Sequence, residues 1–440
     1  MKLTILGGGF AGLAVGYYAR KNQIPFVIYE AKTRIGGNSV TFQKNGFHFD
    51  SGAHRFHDKD SEVTREIKKL LDGQIRNNNS PSQIYYMGRF VDFPLSPMNL
   101  ALNLGSVAIF KAGVDFIYSK IFLKNLNNNF ENYAVCKYGR NIAEKFLLDY
   151  SEKLWGKSCE FLSSEISGKR LQGLDVKTLI IEALFNKKKK AEHLDGSFYY
   201  PTKGGIGYIS KKLEDYCGVD NIHKNFKVTK IIRNNTHVQA VEINHTSRSE
   251  TEHVINTLPL SHFIKMLEPP PPQKILSLVD QLQYRSLILV ALFLDRMSIS
   301  PNASIYFPEK NIPFTRIYEP KNRNILMAPP GKTSLVVEIP CQYGDETWMR
   351  TDDEHKETVI FHLAKMDFIK RAEIIDKHVK RMRYTYPVLE VNCAEKIKTL
   401  KEYLAGFSNL DMTGRNAKFE YIHNHDLMRE GLELVKKLKS

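Results

Sequence analysis

The sequence predicts an α/β protein in which a parallel-sheet nucleotide-binding unit is interrupted by a helical insertion and an antiparallel sheet layer. Three observations carry this reading. An apolar strand pattern at 2–6 runs directly into a glycine-rich turn and a helical pattern. Short alternating runs return at 226–257 and at 286–340. Helical patterns fill 131–185, 352–383 and 424–439. This is not one simple α/β repeat. A mononucleotide-type unit opens the chain, and other layers are inserted later.

Each element has a local reason. The 2–6 and 26–30 strands are short apolar runs bounded by turn residues. Within 226–257 the runs 226–232, 238–243 and 253–258 read as a meander. Within 286–340 the strand runs are 287–294, 304–307, 314–318 and 335–339. The Glu268-Pro269-Pro270-Pro271-Pro272 segment continues no helix or central strand, because proline lacks the amide donor, and reads as a rigid connector. Asn77-Asn78-Asn79 and Asn127-Asn128-Asn129 read as loop tips. The run Lys187 to Lys190 suits a solvated helix end or loop as well as a phosphate site.

Length and composition bound the function. The 440 residues allow two to four domains at roughly 150 residues each. With 42% hydrophobic and 25% charged residues, the chain is no collagen, coiled coil or disordered tail. A formal charge of +15 attracts polyanions without choosing among nucleic acid, anionic lipid and phosphorylated small molecules. No basic stripe is interleaved with aromatics, so no nucleic-acid partner is expected. The five cysteines are widely spaced without a C-x-x-C pair, which predicts no metal and suits reduced thiols in the cytoplasm. No targeting signal and no membrane-spanning run is read. The 95–122 stretch, broken by Lys111, Asp115 and Lys120, reads as a buried helical pair, with peripheral membrane contact as the alternative.

The first chemical constellation is a dinucleotide site. The 2–6 strand leads into Gly7-Gly8-Gly9-Phe10-Ala11-Gly12, a G-x-G-x-x-G turn opening a helix. Gly7 makes the tight turn, Gly9 lets the backbone approach a pyrophosphate, and Gly12 lets helix and strand pack closely. The free amides at the helix start, at Phe10 and Ala11, face the phosphate. The second strand ends at Glu30, 18 residues after Gly12, placed to accept both ribose hydroxyls. This is a Rossmann-like arrangement.

A second glycine pair follows in Arg34-Ile35-Gly36-Gly37-Asn38-Ser39. It suits a cofactor that runs on past its pyrophosphate and resembles the FAD signature of amine-oxidase-type flavoproteins. FAD is therefore expected over NAD, held non-covalently because no His-Cys attachment pattern lies near the flavin loop. Val228, at the head of the second meander, and Arg415, ahead of the last helix, are assigned to the same cofactor. Arg415 and that helix's N-terminus are expected to cap the pyrophosphate.

The remainder is similar to bacterial UDP-galactopyranose mutase. Ile35 to Ser39 and Gly52-Ala53-His54-Arg55-Phe56-His57-Asp58 resemble its I-G-G-N-S and G-P-H-I-F-H-T segments. Tyr150-Ser151-Glu152-Lys153-Leu154-Trp155-Gly156 resembles Y-T-x-K-Q-W, and Tyr284-Arg285-Ser286-Leu287 its Y-R-S-L. Phe314-Thr315-Arg316-Ile317-Tyr318-Glu319-Pro320-Lys321 resembles (F/W)-T-R-I-x-E-x-K. Tyr384-Thr385-Tyr386-Pro387-Val388 and Gly414-Arg415 through Tyr421 resemble Y-Y-P-V and G-R-L-x-x-Y-x-Y. Two segments depart. Lys169-Arg170-Leu171-Gln172-Gly173 lacks the P-V-R of the family's R-x-P-V-R, and 198–205 reads more like amine or protoporphyrinogen oxidases.

The resemblance implies a flavin-dependent isomerase that interconverts pyranose and furanose forms of a nucleotide-diphosphate sugar for surface polysaccharide synthesis. Its flavin works in the reduced state, so a reductant partner is implied. Arg316 is assigned to the substrate diphosphate, the alternative being an ion pair with Glu319. Tyr421 is assigned a hydroxyl contact to the same group, Trp155 the sugar or nucleotide face, and Tyr386 a ring aimed into the site. His54 is assigned both to the flavin and to catalysis, and His57 is left structural. The rival reading is an oxidoreductase of the amine-oxidase or protoporphyrinogen-oxidase type, with an apolar substrate tunnel. A third is an FAD-stabilised structural protein. The domains expected are an interleaved FAD-binding domain (1–94, 198–262 and 384–440), a helical domain (95–197) and a sheet-rich substrate domain (263–383). Oligomeric state is not read from the sequence.

Overall fold

The computed structural model describes residues 1–93, 114–115, 129–166 and 197–439. Most of the 95–122 stretch, the Lys169 to Gly173 segment, the 167–185 helical pattern and the Lys187 to Lys190 run lie outside the described residues. No helix among the described residues is long and apolar enough to cross a membrane.

A parallel five-stranded sheet is built around Leu3–Leu6, which pairs with Phe26–Glu30 on one side and His253–Asn256 on the other. Ile222–Lys224 and Leu410–Met412 close its edges. Both faces are covered, which is why its strands are almost wholly apolar. Side-chain alternation divides them. Leu3, Ile5, Phe26, Ile28 and Ile255 pack on one side with the helices Phe10–Lys21, Gly207–Cys217 and Asn424–Lys439. Val27, Tyr29 and Val254 pack on the other with Val228, Ile231 and Val241 of a four-stranded sheet. The helices approach closely: a Cβ on Gly431 would lie 3.1 Å from the Ala14 backbone carbon.

A seven-stranded sheet forms the second large layer, in the order 374–387, 284–294, 333–342, 316–318, 304–306, 82–86, 89–93. All eleven residues of Tyr284–Leu294 are buried. Ile288, Val290, Leu292 and Leu294 face Val359, Ile360 and Leu363 of the helix Asp352–Lys365. Leu287, Leu289, Ala291 and Phe293 face Phe47 and Phe49 of the hairpin formed by Thr41–Lys44 and Phe47–Asp50. That hairpin packs on the seven-stranded sheet and bonds to the 198–201 strand. Its Asp50 carbonyl accepts the Tyr318 hydroxyl at 2.7 Å, and its carboxylate accepts the Tyr200 hydroxyl at 2.5 Å.

The 352–383 helical reading is corrected by the structure. A capping box between Thr351 and Glu354 starts the helix, but it ends at Lys365. Asp367 then adopts a left-handed φ of 60°, which terminates a helix as glycine commonly does. Ile374–Pro387 follows as a 14-residue strand paired with Tyr284–Leu294. The charges at Lys377, Lys380 and Arg381 mimic a solvated helix face, whereas they lie along a sheet edge.

Leu292→Ala is expected to destabilise the holoprotein by about 2–5 kcal/mol through the cavity it leaves. Ile375→Ala, on the exposed edge strand, is expected to change stability by no more than about 0.5 kcal/mol. Chemical denaturation of both variants measures the contrast.

Candidate active site

Two glycine runs lie backbone to backbone at the C-terminal end of Leu3–Leu6. Gly9 and Gly36 form a parallel bridge, and the Gly36 amide donates to the Gly8 carbonyl at 2.8 Å. A Cβ on Gly12 would lie 2.0 Å from the Gly7 carbonyl oxygen, and one on Gly37 would lie 3.1 Å from Gly9 Cα. Only glycine fits this approach. The helix Phe10–Lys21 has no side-chain cap at Gly9, so its first amides, including those of Phe10 and Ala11, are left for an external acceptor.

Glu30 stands beside this cradle. Its two oxygens accept the Gly8 and Lys32 amides at 2.8 and 2.9 Å. A carboxylate offers about four acceptor positions, so capacity remains for ribose hydroxyls. Arg34 donates to the Gly37 carbonyl at 3.2 Å, and Asn38 to the Tyr384 carbonyl at 2.9 Å. The Phe226 amide donates to the Glu30 carbonyl at 2.9 Å, which brings the buried Val228 strand to the same edge. A concave glycine cradle, an uncapped helix start and a ribose acid fit a dinucleotide such as FAD.

Arg415, assigned to the pyrophosphate, is held by the loop that follows it. Its guanidinium donates to the Ile422 carbonyl at 2.7 and 3.0 Å and lies 5.0 Å from the Tyr421 ring. It is the backbone of Gly414, at φ 106°, that presses on the helix start, where an added Cβ would lie 3.1 Å from Ala11 Cβ. The last helix begins only at Asn424.

The assigned catalytic residues converge in a second cluster. The Trp155 ring lies 5.8 Å from Tyr386 and 6.0 Å from Tyr421, and those two tyrosines are 5.8 Å apart. Burial, with Tyr421 and Glu338 nearby, pushes the Tyr386 phenol up to about 12, so it stays a hydrogen-bond donor at neutral pH. Arg316 lies 5.8 Å from the Tyr306 ring. Tyr306 meets Tyr150 at 5.9 Å. Burial raises the Tyr150 phenol as well, although the Arg316 charge opposes it.

Glu338 is the partner the sequence reading missed. Arg316 donates Nε and Nη2 to its carboxylate, both at 2.8 Å. Arg316 and Glu338 stand directly opposite on paired strands. Glu319, the alternative ion-pair partner, accepts the amides of Ile299 and Ser300 and the Thr333 hydroxyl instead. Burial opposes the Arg316 charge, but Glu338 holds the guanidinium well above its ordinary value. A signal for Glu338 was present. A lone carboxylate in the apolar run 334–339 must find a cation or donors.

Glu338 also accepts the Ala53 amide at 2.9 Å, which fixes the loop carrying His54. His54 Nε2 lies 3.3 Å from Ser51 Oγ. Burial, then the Arg415 and Arg316 cations, push the imidazole down to about 3. His54 is therefore neutral at physiological pH, a hydrogen-bonding group without charge. Among the described residues no group of three or more His, Cys, Asp or Glu side chains is arranged to hold a metal.

A dinucleotide cradle leading to a ring of tyrosines, tryptophan and arginine defines a flavin-dependent enzyme. The chain belongs to the family of flavin containing amine oxidoreductases, which residues 10–388 match. The coproporphyrinogen III oxidase of Bacillus subtilis (strain 168) is 22% identical, over 98% of this chain and 97% of its own length. The fold is mutase-like: a crystal structure of reduced UDP-galactopyranose mutase superposes with a TM-score of 0.88 at 18% identity, covering 99% of this chain and 93% of that one. Cyclohexylamine oxidase from Brevibacterium oxydans IH-35A superposes at 0.69 with 14% identity, covering 100% and 99% of the two chains.

Gly12→Val is expected to abolish flavin retention, because its side chain enters the Gly7 carbonyl; visible absorbance of the purified variant measures this. The His54 value gives a second expectation. Its folded pKa of about 3 lies below the unfolded value of about 6.5, so the unfolded state binds the extra proton between them. Stability is therefore expected to fall as pH drops from about 6.5 towards 3, and less steeply in His54→Asn. Denaturation midpoints across that range measure the slope.

Proposed function

We propose that the chain is a flavin-dependent mutase interconverting the pyranose and furanose forms of a nucleotide-diphosphate sugar, for surface polysaccharide synthesis in the cytoplasm. The observation that carries this reading is the buried Arg316 guanidinium, which Glu338 engages through Nε and Nη2. Glu338 occupies Nε and one Nη2 hydrogen. A guanidinium has five N–H donors, so the Nη1 side still offers a fork to phosphate oxygens. The surrounding tyrosines, Trp155 and Arg415 add further donors and ring faces around that guanidinium, which suits a diphosphate joined to a sugar and a base.

In this reading FAD is held non-covalently, and when bound and reduced it supplies the nucleophile for the anomeric carbon. The chain's residues do the rest. Arg316 and Tyr421 bind the diphosphate and stabilise its charge as the sugar bond breaks. Trp155 and Tyr386 pack on the sugar or base and exclude water. Neutral His54 orients the cofactor without adding charge. Residues 1–94, 198–262 and 384–440 hold the cofactor, 95–197 form a helical part, and 263–383 supply the substrate sheet. A reductant partner keeps the flavin reduced.

A second reading, a coproporphyrinogen-type oxidase, is favoured by the full-length similarity to the Bacillus subtilis enzyme. One experiment separates them: the reduced protein is incubated with UDP-galactopyranose or UDP-galactofuranose and the products are resolved by chromatography. Arg316→Ala alone leaves Glu338 buried and unpaired, costing about 3–5 kcal/mol of stability. The informative variant is therefore the pair Arg316→Gln with Glu338→Gln. It is expected to keep flavin and lose about 10²–10³ in turnover. Wild-type turnover in that variant rules out the Arg316 role. Oxygen-dependent oxidation of coproporphyrinogen, without sugar turnover, establishes the oxidase instead.

A further inference from the structure

The site's rings stand on two separate elements. The helix Asp149–Trp155 carries Tyr150 and Trp155. The hairpin formed by Ser304–Tyr306 and Arg316–Tyr318 carries Tyr306 and Arg316. A polar clamp joins them. Lys153 Nζ donates to the carbonyls of Phe307, Glu309 and Ile312 at 2.6, 2.8 and 3.0 Å, all in the hairpin loop. An ammonium has three donors and no acceptor, so these carbonyls satisfy it fully. Lys310 of the same loop reaches back to Asp149 and Glu152 at 3.0 and 3.1 Å.

The far end of the helix is held independently. Arg285 donates to the Leu154 carbonyl at 2.9 Å and the Lys153 carbonyl at 3.4 Å. Gly156 ends the helix at φ 68°, and a Cβ there would lie 2.5 Å from Arg285 Nη1. The helix therefore reaches the hairpin through Lys153 and Lys310, and the sheet through Arg285.

We propose that Lys153 is a positioning residue: its ammonium sets the separation between the helix bearing Tyr150 and Trp155 and the hairpin bearing Tyr306 and Arg316. The width of the aromatic wall depends on it. The proposal rests on the reading above that these rings bind substrate. Burial pushes the Lys153 amine down to about 7, against the pull of Glu309 and Asp149. A neutral amine keeps two hydrogens for three carbonyls, so the clamp loosens as pH rises through that value. The other ionisable groups around it are Asp149 and Glu152 on its own helix, Glu309 and Lys310 on the loop, and His362 on the helix Asp352–Lys365. Asp149 and Glu152 pair with Lys310, which their hydrogen bonds hold above its ordinary value. His362 is lowered by burial and is neutral above its ordinary value of about 6.5.

Trp155 reports on the clamp directly. The chain has two tryptophans, so Trp348→Phe holoprotein leaves Trp155 as the single emitter. Acrylamide quenching of Trp155 is expected to rise several-fold between about pH 6 and about pH 9, following the lysine proton. Adding Lys153→Met is expected to raise quenching throughout and remove the pH step, with the flavin band retained. A flat titration in the Trp348→Phe parent overturns the proposal, and so does unchanged quenching in flavin-retaining Lys153→Met. If Lys153→Met loses flavin, the parent titration alone decides. UDP is the ligand probe. If the clamp behaves as expected and UDP fails to protect Trp155, the clamp stands and the nucleotide-sugar reading falls.

Discussion

The site is organised by one buried ion pair. Arg316 and Glu338 face each other across neighbouring strands, with the carboxylate 2% and the guanidinium 11% exposed. Burying either charge alone is costly; together they carry no net charge into the protein. Glu338 then uses its remaining acceptor capacity on the Ala53 amide. A single carboxylate thereby fixes both the Arg316 fork and the loop leading to His54. The strand register is the cause, since the directly opposed positions bring the two groups together without long side-chain excursions.

The rest of the site's charge is spread over rings. Arg415 lies near Tyr386 and Tyr421, and Arg316 near Tyr306. Ring faces attract cations without consuming their hydrogen-bond donors. Neutral His54 fits the same field: two nearby cations make a third charge unfavourable. Arg316 and Arg415 are both held in place, by the Glu338 carboxylate and the Ile422 carbonyl.

Much of this was legible in the sequence because it depends on local spacing. The Gly7 to Glu30 unit specifies strand, turn, helix and acid within one stretch, and each lies where its chemistry requires. The Gly36-Gly37 pair could be read as part of the cofactor segment, but its contact with Gly9 is a tertiary fact. Arg316 was visible as a candidate, whereas its partner was not: Glu319 is near in sequence but past the end of the strand, and Glu338 is opposite in space. Ile374–Pro387 was misread for a related reason. Charges along a sheet edge look like a helix face when the neighbouring strand is unknown. Arg415 donates to the Ile422 carbonyl, a loop geometry that no spacing encodes.

The close fit of Gly431 on Ala14 has a consequence for the order of events during synthesis. The nucleotide-binding layer is begun by the first residues of the chain, yet Leu410–Met412 supplies one edge of its sheet and Asn424–Lys439 covers its first helix. Domains generally fold as units as they leave the ribosome. Here the earliest-made layer cannot be completed until residues 410–439 have emerged. Until then Ala14 and Val15 lack the close backbone cover that Gly431 gives them.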